Sequence, residues 1–227
     1  MRKTLIFDAD DTLWENNVVF ERVIDDYLDW LAHPTLDRAE LRAILDDIER
    51  ANAVVHGYGT AVFLRSLHDC LARLRERPAT EQERQQILEL ADQLVNQQVE
   101  LIPGVADTLA QLGARHELFL LTKGDREEQQ RKIDASGLDH HFSHVHIVRE
   151  KDIGTYLELV ERHALRPEHA WMIGNSPKSD IVPARRAGLN AVFIPSKSTW
   201  VLEHDVVDPA DEKVLHLARF PELLTHF

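Results

Sequence analysis

Five short apolar runs dominate the hydrophobic pattern of the chain. Each run is continuous rather than alternating, which is typical of strands buried on both faces of a parallel sheet. They occupy residues 4–7, 117–121, 144–148, 170–173 and 191–194. Amphipathic stretches of helix length lie between them, at 126–135, 154–163 and 178–187. Strands that alternate with helices predict a Rossmann-like α/β fold, a parallel sheet covered by helices on both faces.

A long helical insertion separates the first two predicted strands. The gap spans about a hundred residues, whereas a crossover between parallel strands needs only about a dozen. Thr80 and Glu83 show a capping-box pattern, and apolar residues keep helical spacing on both sides of it. These are Leu41, Ile44, Leu45 and Ile48, then Ile87, Leu90, Ala91, Leu94 and Val95. We predict an α/β core of residues 1–14 and 101–227, with an all-helical cap domain of residues 15–100.

The end of the chain has a weaker pattern. After Pro195 we expect a strand or loop near 200–207 and a short terminal helix. No internal repeat extends through this segment or the rest of the sequence.

Composition narrows the choice of partners. The chain has 227 residues, is 44% hydrophobic and carries a formal net charge of −13. This charge argues against a nucleic-acid or anionic-membrane partner, and no apolar run approaches membrane-spanning length. The single cysteine, Cys70, excludes an intrachain disulfide. Because the first apolar run breaks at Asp8, too soon for a secretory signal, we expect a cytoplasmic protein.

Polar residues with a common chemistry end the first four predicted strands. Asp8, Asp10 and Asp11 fall within FDADDTLW, where like charges repel unless a positive group compensates them. Since the carboxyl ends of parallel strands share one edge, these acids should meet the later strand ends. Those ends carry Thr122 and Lys123, Lys151, and Asn175 to Asp180. The set suits a phosphate held between a hard cation such as Mg²⁺ and a lysine, with one carboxylate as nucleophile.

The same residues make the chain resemble the haloacid dehalogenase superfamily, in its phosphatase branch with an inserted helical (C1-type) cap. All four family motifs occur in order, each at a predicted strand end. They are Asp8-Ala9-Asp10-Asp11-Thr12, Thr122 in LLTKGD, Lys151 in REKDIGTYLELV, and Gly174 to Asp180 in GNSPKSD. The resemblance implies Mg²⁺-dependent hydrolysis of a small-molecule phosphomonoester through an aspartyl-phosphate.

The resemblance assigns the reacting groups and the metal ligands. Asp8 would attack phosphorus, while Asp10 would protonate the leaving alkoxide and later take a proton from water. The implied Mg²⁺ ligands are Asp8, the carbonyl of Asp10, Asn175 and Asp180. The family usually has aspartate at the position of Asn175. An amide oxygen still ligates a hard cation, but it brings one formal charge fewer, which Asp180 would offset directly or through a water.

Phosphate and substrate contacts are implied in the same way. Thr122 and the backbone amides of Lys123 and Gly124 would hold the phosphate at a helix N-terminus, and Lys151 would supply a fixed positive charge. Candidates to face the substrate are Trp14, beside the acids, and His56 and Tyr58, in the cap sequence HGYG. A helical cap would favour small phosphorylated metabolites over phosphoproteins.

Other activities of this superfamily and one other class remain as alternatives. A dehalogenase needs neither a metal nor an acid two residues after the nucleophile, so Asp10 favours a phosphatase. A phosphonate hydrolase needs a Schiff-base lysine in the cap, and residues 15–100 contain no lysine. A phosphomutase would return the phosphoryl group to its substrate. A phospho-receiver or binding module would use a similar acid, hydroxyl and lysine set without turnover.

Overall fold

The computed structural model describes residues 2–95 and 98–227, and it divides the chain into two compact units. The first unit contains Met1–Asn17 and Val99–Phe227, and the second is Val18–Gln98. The helices are α1 (Asn17–Leu31), α2 (Arg38–His56), α3 (Thr60–Arg75), α4 (Glu81–Leu90), α5 (Asp92–Val95), α6 (Val105–Gly113), α7 (Arg126–Ser136), α8 (Ile153–Arg162) and α9 (Val182–Arg186). The second unit is therefore inserted into the sequence of the first.

The first unit is built on a six-stranded parallel sheet. Its strands are β1 (Thr4–Phe7), β2 (Glu117–Lys123), β3 (His144–Val148), β4 (Ala170–Gly174), β5 (Asn190–Phe193) and β6 (Val214–His216). They lie in the order β3-β2-β1-β4-β5-β6, and every neighbouring pair is parallel. The predicted α/β class and its five strands are confirmed. Because β1 lies between β2 and β4, three motif-bearing strand ends are adjacent.

Both faces of this sheet are covered by helices, as the continuous apolar runs predict. Leu5 and Phe7 of β1 pack on one face with residues of α6 and α7. Ile6, which points the other way, packs with Tyr156 of α8 and Ala184 of α9. Burial on both faces stabilises the sheet and leaves its carboxyl edge as the place where polar groups collect.

The second unit is all-helical over its described residues and has a core of its own. Tyr27 of α1 donates from its hydroxyl to the Leu67 carbonyl of α3 at 2.9 Å, within a cluster of buried aliphatic side chains. The predicted capping box is confirmed, since the Thr80 hydroxyl accepts from the Glu83 amide and the Glu83 carboxylate accepts from the Thr80 amide. The helical spacing of Ile87, Leu90, Ala91, Leu94 and Val95 predicts one continuous helix, and this prediction is wrong, because α4 ends at Leu90 and α5 starts two residues later.

The tail follows the loop alternative of the sequence prediction and adds a strand that the sequence did not reveal. Residues 200–207 form no strand but contain a 3₁₀ turn, Val201–Glu203. The sixth strand lies further on, at Val214–His216, and is too short to leave a clear apolar run. The predicted terminal helix is a 3₁₀ helix, Phe220–Thr225.

Among the described residues, none of the helices combines the length and the apolar character needed to cross a bilayer.

Candidate active site

The carboxyl ends of β1 and β4 bring Asp8, Asn175 and Asp180 together. The Asp8 amide donates to the Ile173 carbonyl at 2.9 Å, which fixes the chain where it leaves β1. The Thr12 hydroxyl bridges the two motifs, lying 2.9 Å from Asp8 Oδ2 and 3.2 Å from Asn175 Oδ1. Residues far apart in the sequence thus share one cluster at the edge of the sheet.

Asp8 is a buried carboxylate in contact with a lysine. Its Oδ1 accepts from Lys151 Nζ at 2.5 Å, and the side chain of Lys151 is 1% exposed. Burial and the nearby Asp180 carboxylate raise the pKa of Asp8 to about 7, against the opposing charge of Lys151. A second positive charge at this site would favour the ionised, nucleophilic form.

Lys151 is shared between two acids. Its Nζ donates to Asp180 Oδ1 at 2.8 Å as well as to Asp8, and although burial opposes it, these two charges raise the pKa of the lysine. Asp180 Oδ2 accepts from the Ser176 amide at 2.9 Å. A π-helical turn, Pro177–Ile181, carries Asp180 back against Gly174, where a Cβ would lie 2.2 Å from the carboxylate. Gly174 is therefore required at the end of β4.

The oxygen atoms around Asn175 fit a hard cation. One terminal atom of the Asn175 amide, either its oxygen or its nitrogen, faces the cluster. This atom lies 3.2 Å from Asp8 Oδ2 and 3.3 Å from the Asp10 carbonyl oxygen. With its oxygen turned inward, three oxygens face one another, an arrangement that a cation would stabilise. With its nitrogen turned inward, the amide donates to both oxygens instead. Carboxylate, carbonyl and amide oxygens are the donors that Mg²⁺ prefers, so the residues present fit this ion.

Asp10 is held by three side chains. Its Oδ1 accepts from Trp14 Nε1 at 2.7 Å and from Lys132 Nζ at 2.7 Å. Its Oδ2 accepts from Gln129 Nε2 and from Lys132 Nζ, both at 2.8 Å. Burial acts to raise the pKa of Asp10, but the charge of Lys132 and these hydrogen bonds outweigh it and lower the pKa. Asp10 is thus a fixed carboxylate two residues from Asp8.

The chain is similar to known hydrolases in sequence and in fold. A sequence model of the haloacid dehalogenase-like hydrolases matches residues 2–188. The chain belongs to this family. It is 42% identical to a phosphoserine phosphatase from Thermus thermophilus over 82 residues, which are 34% of this chain and 33% of that protein. The match therefore spans about a third of the length of that curated relative.

Solved structures of the family share the whole fold. A haloacid dehalogenase-like family hydrolase from Xanthomonas campestris superposes with a TM-score of 0.81 and 26% identity, covering 99% of this chain and 95% of that one. A 2-haloacid dehalogenase from Pseudomonas syringae pv. Tomato has a TM-score of 0.61 and 21% identity, covering 99% and 97%. The second likeness concerns the fold alone.

In this haloacid dehalogenase-like hydrolase the third acid of FDADDTLW lies apart from the cluster. Asp11 adopts a left-handed backbone, φ 61°, and its Oδ1 accepts from the amides of Asn16 and Asn17 at 2.9 and 3.0 Å. Burial raises its pKa to about 7, against these two bonds. Asp11 therefore shapes the turn that leads into α1.

The loop at residues 122–125, which the sequence predicts to bind phosphate and which we call the phosphate loop, differs in part from that prediction. Thr122 is buried at the end of β2, next to Lys123. The Gly124 amide, expected to bind phosphate, instead donates to the Val148 carbonyl at 3.1 Å, so this expectation is wrong. Asp125 caps α7 by accepting from two amides of its first turn. The loop is therefore fixed by a hydrogen bond to the end of β3 and by the cap of α7.

The side chain of Lys123 turns toward a buried acid from the tail. Its Nζ lies 2.5 Å from Glu203 Oε1 and 2.7 Å from Ser179 Oγ. Glu203 Oε2 also accepts from the hydroxyls of Ser176 and Ser179, both at 2.5 Å. Although burial opposes it, the charge of Lys123 and these bonds lower the pKa of Glu203 to about 2. This network joins the loop after β2 to the loop after β4.

The three candidate substrate-facing residues have different surroundings. Trp14 is 1% exposed and belongs to the core cluster of the first unit, where its indole N–H is directed at Asp10. His56 ends α2 and is exposed, and Tyr58 lies in the short connection to α3. Both belong to the helical unit.

Sequence reasoning missed Lys132, Gln129 and Glu203. Gln129, Lys132 and Ile133 share one face of α7, and all three are buried. Their helical spacing, directly after the second motif, indicates that the two polar residues lie on the same buried face as the aliphatic one. Glu203 gave no signal, because nothing in the tail sequence indicates that it turns back to the site.

Proposed function

We propose that this protein is a Mg²⁺-dependent phosphatase that hydrolyses a small phosphomonoester through an aspartyl-phosphate on Asp8. The observation that carries the proposal is the carboxylate pair: Asp8 held by Lys151, and Asp10 fixed two residues away by three donors. A nucleophile beside an acid–base group is what two-step phosphoryl transfer to water requires.

The residues would divide the reaction between them. An Asp8 oxygen attacks phosphorus, the bond from phosphorus to the leaving oxygen breaks, and Asp10 gives that oxygen a proton. Water then attacks phosphorus, and Asp10 takes back a proton as the Asp8 carboxylate is released. The ammonium group of Lys151, which contacts Asp8, would offset negative charge on the phosphoryl oxygens. Thr122 would bind one of these oxygens.

Mg²⁺ would be held by Asp8, the Asp10 carbonyl and Asn175, with Asp180 as a further ligand through water, and when bound it would neutralise charge on the phosphoryl oxygens. The oxygen cluster around Asn175 supports these assignments. The family relationship to a phosphoserine phosphatase supports a small phosphorylated metabolite as substrate. The helical insert, with His56 and Tyr58, would select among such metabolites.

A metabolite panel tests the proposal. Phosphoserine, sugar phosphates, nucleoside monophosphates and phosphoglycolate are assayed for phosphate release, with 2-chloropropionate assayed in parallel for chloride release. We expect phosphate release that EDTA abolishes and Mg²⁺ restores. Chloride release that survives EDTA, without any phosphatase activity, would identify a dehalogenase and contradict the proposal.

A further inference from the structure

Lys132 is a buried lysine that forms an ion pair with the proposed acid–base group. Its side chain is 8% exposed, and its Nζ lies 2.7 and 2.8 Å from the two oxygens of Asp10 and 3.1 Å from Asn16 Oδ1. A lysine withdrawn from water is unfavourable unless its charge is paired. The Asp10 carboxylate provides that pairing and is itself fixed by it.

The other donors make the orientation of Asp10 specific. Each Asp10 oxygen receives two hydrogen bonds, one from Lys132 and one from Trp14 or Gln129. A carboxylate oxygen accepts about two hydrogen bonds, so both oxygens are engaged in this state, and a proton carried by Asp10 takes the place of one of these bonds. Rotation of the carboxylate about its terminal bond would break bonds to all three donors.

Gln129 binds Asp10 although its own side-chain oxygen is left without a hydrogen bond. Its Nε2 donates to Asp10 and, at 3.1 Å, to the Lys123 carbonyl, while its buried Oε1 has no partner within the described chain. Its side chain also packs against Gly124, where a Cβ would approach Nε2 to 2.8 Å. One face of α7 thus links the phosphate loop to the acid–base group.

We propose that Lys132 is a positioning residue that holds the Asp10 carboxyl group in the orientation from which it exchanges protons with the leaving group and with water. The proposal rests on the phosphatase reaction above. Neither the four family motifs nor the candidate residues drawn from the sequence include Lys132. If the ion pair were purely structural, its loss would destabilise the fold and would lower kcat/KM equally for all substrates.

Leaving groups of different basicity separate the two roles. The alkoxide of phosphoserine needs a proton as it departs, whereas 4-nitrophenolate leaves without one. In Lys132→Met we expect kcat/KM, which reports steps up to the aspartyl-phosphate, to fall about 10- to 100-fold for phosphoserine and less than about threefold for 4-nitrophenyl phosphate. Arg131→Met, an exposed neighbour on the same helix, should change neither value.

Two further measurements make the test independent of one variant. Gln129→Leu removes a donor to Asp10 without leaving an unpaired charge, and it should shift the substrate ratio in the same direction. The indole N–H resonance of Trp14, assigned with Trp14→Phe, should move in Lys132→Met and stay in place in Arg131→Met, whether or not the protein is active.

The outcomes are distinct. A parent protein that releases phosphate from no phosphomonoester of the panel contradicts the proposed phosphatase, and the indole resonance then decides the positioning role alone. An equal loss for both substrates, no loss, or a gain for phosphoserine overturns the role of Lys132. An unmoved indole resonance in Lys132→Met also overturns it, because Asp10 would then keep its orientation without the lysine.

Discussion

At the scale of single residues, the charge balance of the proposed metal site depends on Asn175. Its amide lies about as far from Asp8 Oδ2 as from the Asp10 carbonyl, at 3.2 and 3.3 Å. An aspartate there would add a negative charge to a cluster that already contains Asp8 and Asp180. Attraction to a doubly charged ion at ligand distance exceeds repulsion between carboxylates further apart, because Coulomb energy scales with the charge product over distance.

We therefore expect Asn175→Asp to lower the Mg²⁺ concentration for half-maximal activity by about 3- to 10-fold, with turnover unchanged or reduced. A magnesium titration of the parent and the variant measures the change. If the variant needs as much Mg²⁺ as the parent or more, Asn175 is not a ligand, and Asp180 becomes the stronger candidate.

At the scale of elements, the tail fixes the two loops that flank the site. Glu203 lies in the 3₁₀ turn Val201–Glu203, and its partners come from the ends of β2 and β4. The side chains of Glu203 and Lys123 are only 11% and 13% exposed, so removal of either charge leaves the other without its main partner in a buried place.

Glu203→Gln should lower the free energy of unfolding by about 2 kcal/mol and raise the Mg²⁺ requirement, because Ser176 and Ser179 lie in the loop between Asn175 and Asp180. Urea unfolding and a magnesium titration measure the two effects. Glu212→Gln, at an exposed position, is the matched control. An unchanged unfolding energy in Glu203→Gln would show that the network does not stabilise the fold.

A histidine on the edge strand β3 makes the stability of the fold depend on pH. His146 Nε2 lies 3.0 Å from Nε2 of His163, which directly follows α8. Burial, together with the charges of His163, Arg162 and His144, lowers the pKa of His146 to about 4. Since its ordinary value is about 6.5, the unfolded chain takes up a proton first as the pH falls. The stability from neutral His146 is complete above about pH 6.5 and is lost toward about pH 4.

His146→Gln should therefore lose less stability than the parent between about pH 7 and pH 5, by about 1 kcal/mol after allowance for the partial exposure of the ring. Unfolding curves across this pH range measure the difference. His226→Gln, at an exposed position, should follow the parent. Parallel pH profiles for parent and His146→Gln would contradict the assignment.

Strands and motifs were predictable because they depend on local patterns. Continuous apolar runs identify buried parallel strands, and their polar endings identify the residues that meet at one edge. Two other contacts of the site could not be predicted in this way. The pattern of α7 indicates that Lys132 is buried, but its pairing with Asp10 depends on tertiary packing, and so does the pairing of Glu203 in the returning tail with Lys123. The hydrogen bond from the Gly124 amide to Val148 was likewise hidden, because it depends on the exact pairing of β2 with β3.

At the scale of the whole molecule, one α/β unit supplies every member of the acid, lysine and amide cluster. The helical unit enters the sequence directly after FDADDTLW, and the chain returns beside the same acids: the Glu15 amide donates to the Glu100 carbonyl at 2.9 Å. We expect the chemistry to reside in the first unit and the choice of substrate in the second. Variants of His56 or Tyr58 should then change KM among metabolites more than they change the chemical step.

The most direct measurement of the central claim is a rapid acid quench during turnover with Mg²⁺ and the best substrate of the panel, followed by peptide mass spectrometry. The account predicts one phosphoryl group on Asp8, in the peptide of residues 4–22, which disappears when the substrate is exhausted and never forms in Asp8→Asn. Asp8→Asn should keep the fold but lose turnover. Phosphate release by Asp8→Asn at a rate near that of the parent, or a phosphoryl group on another residue, would contradict the account.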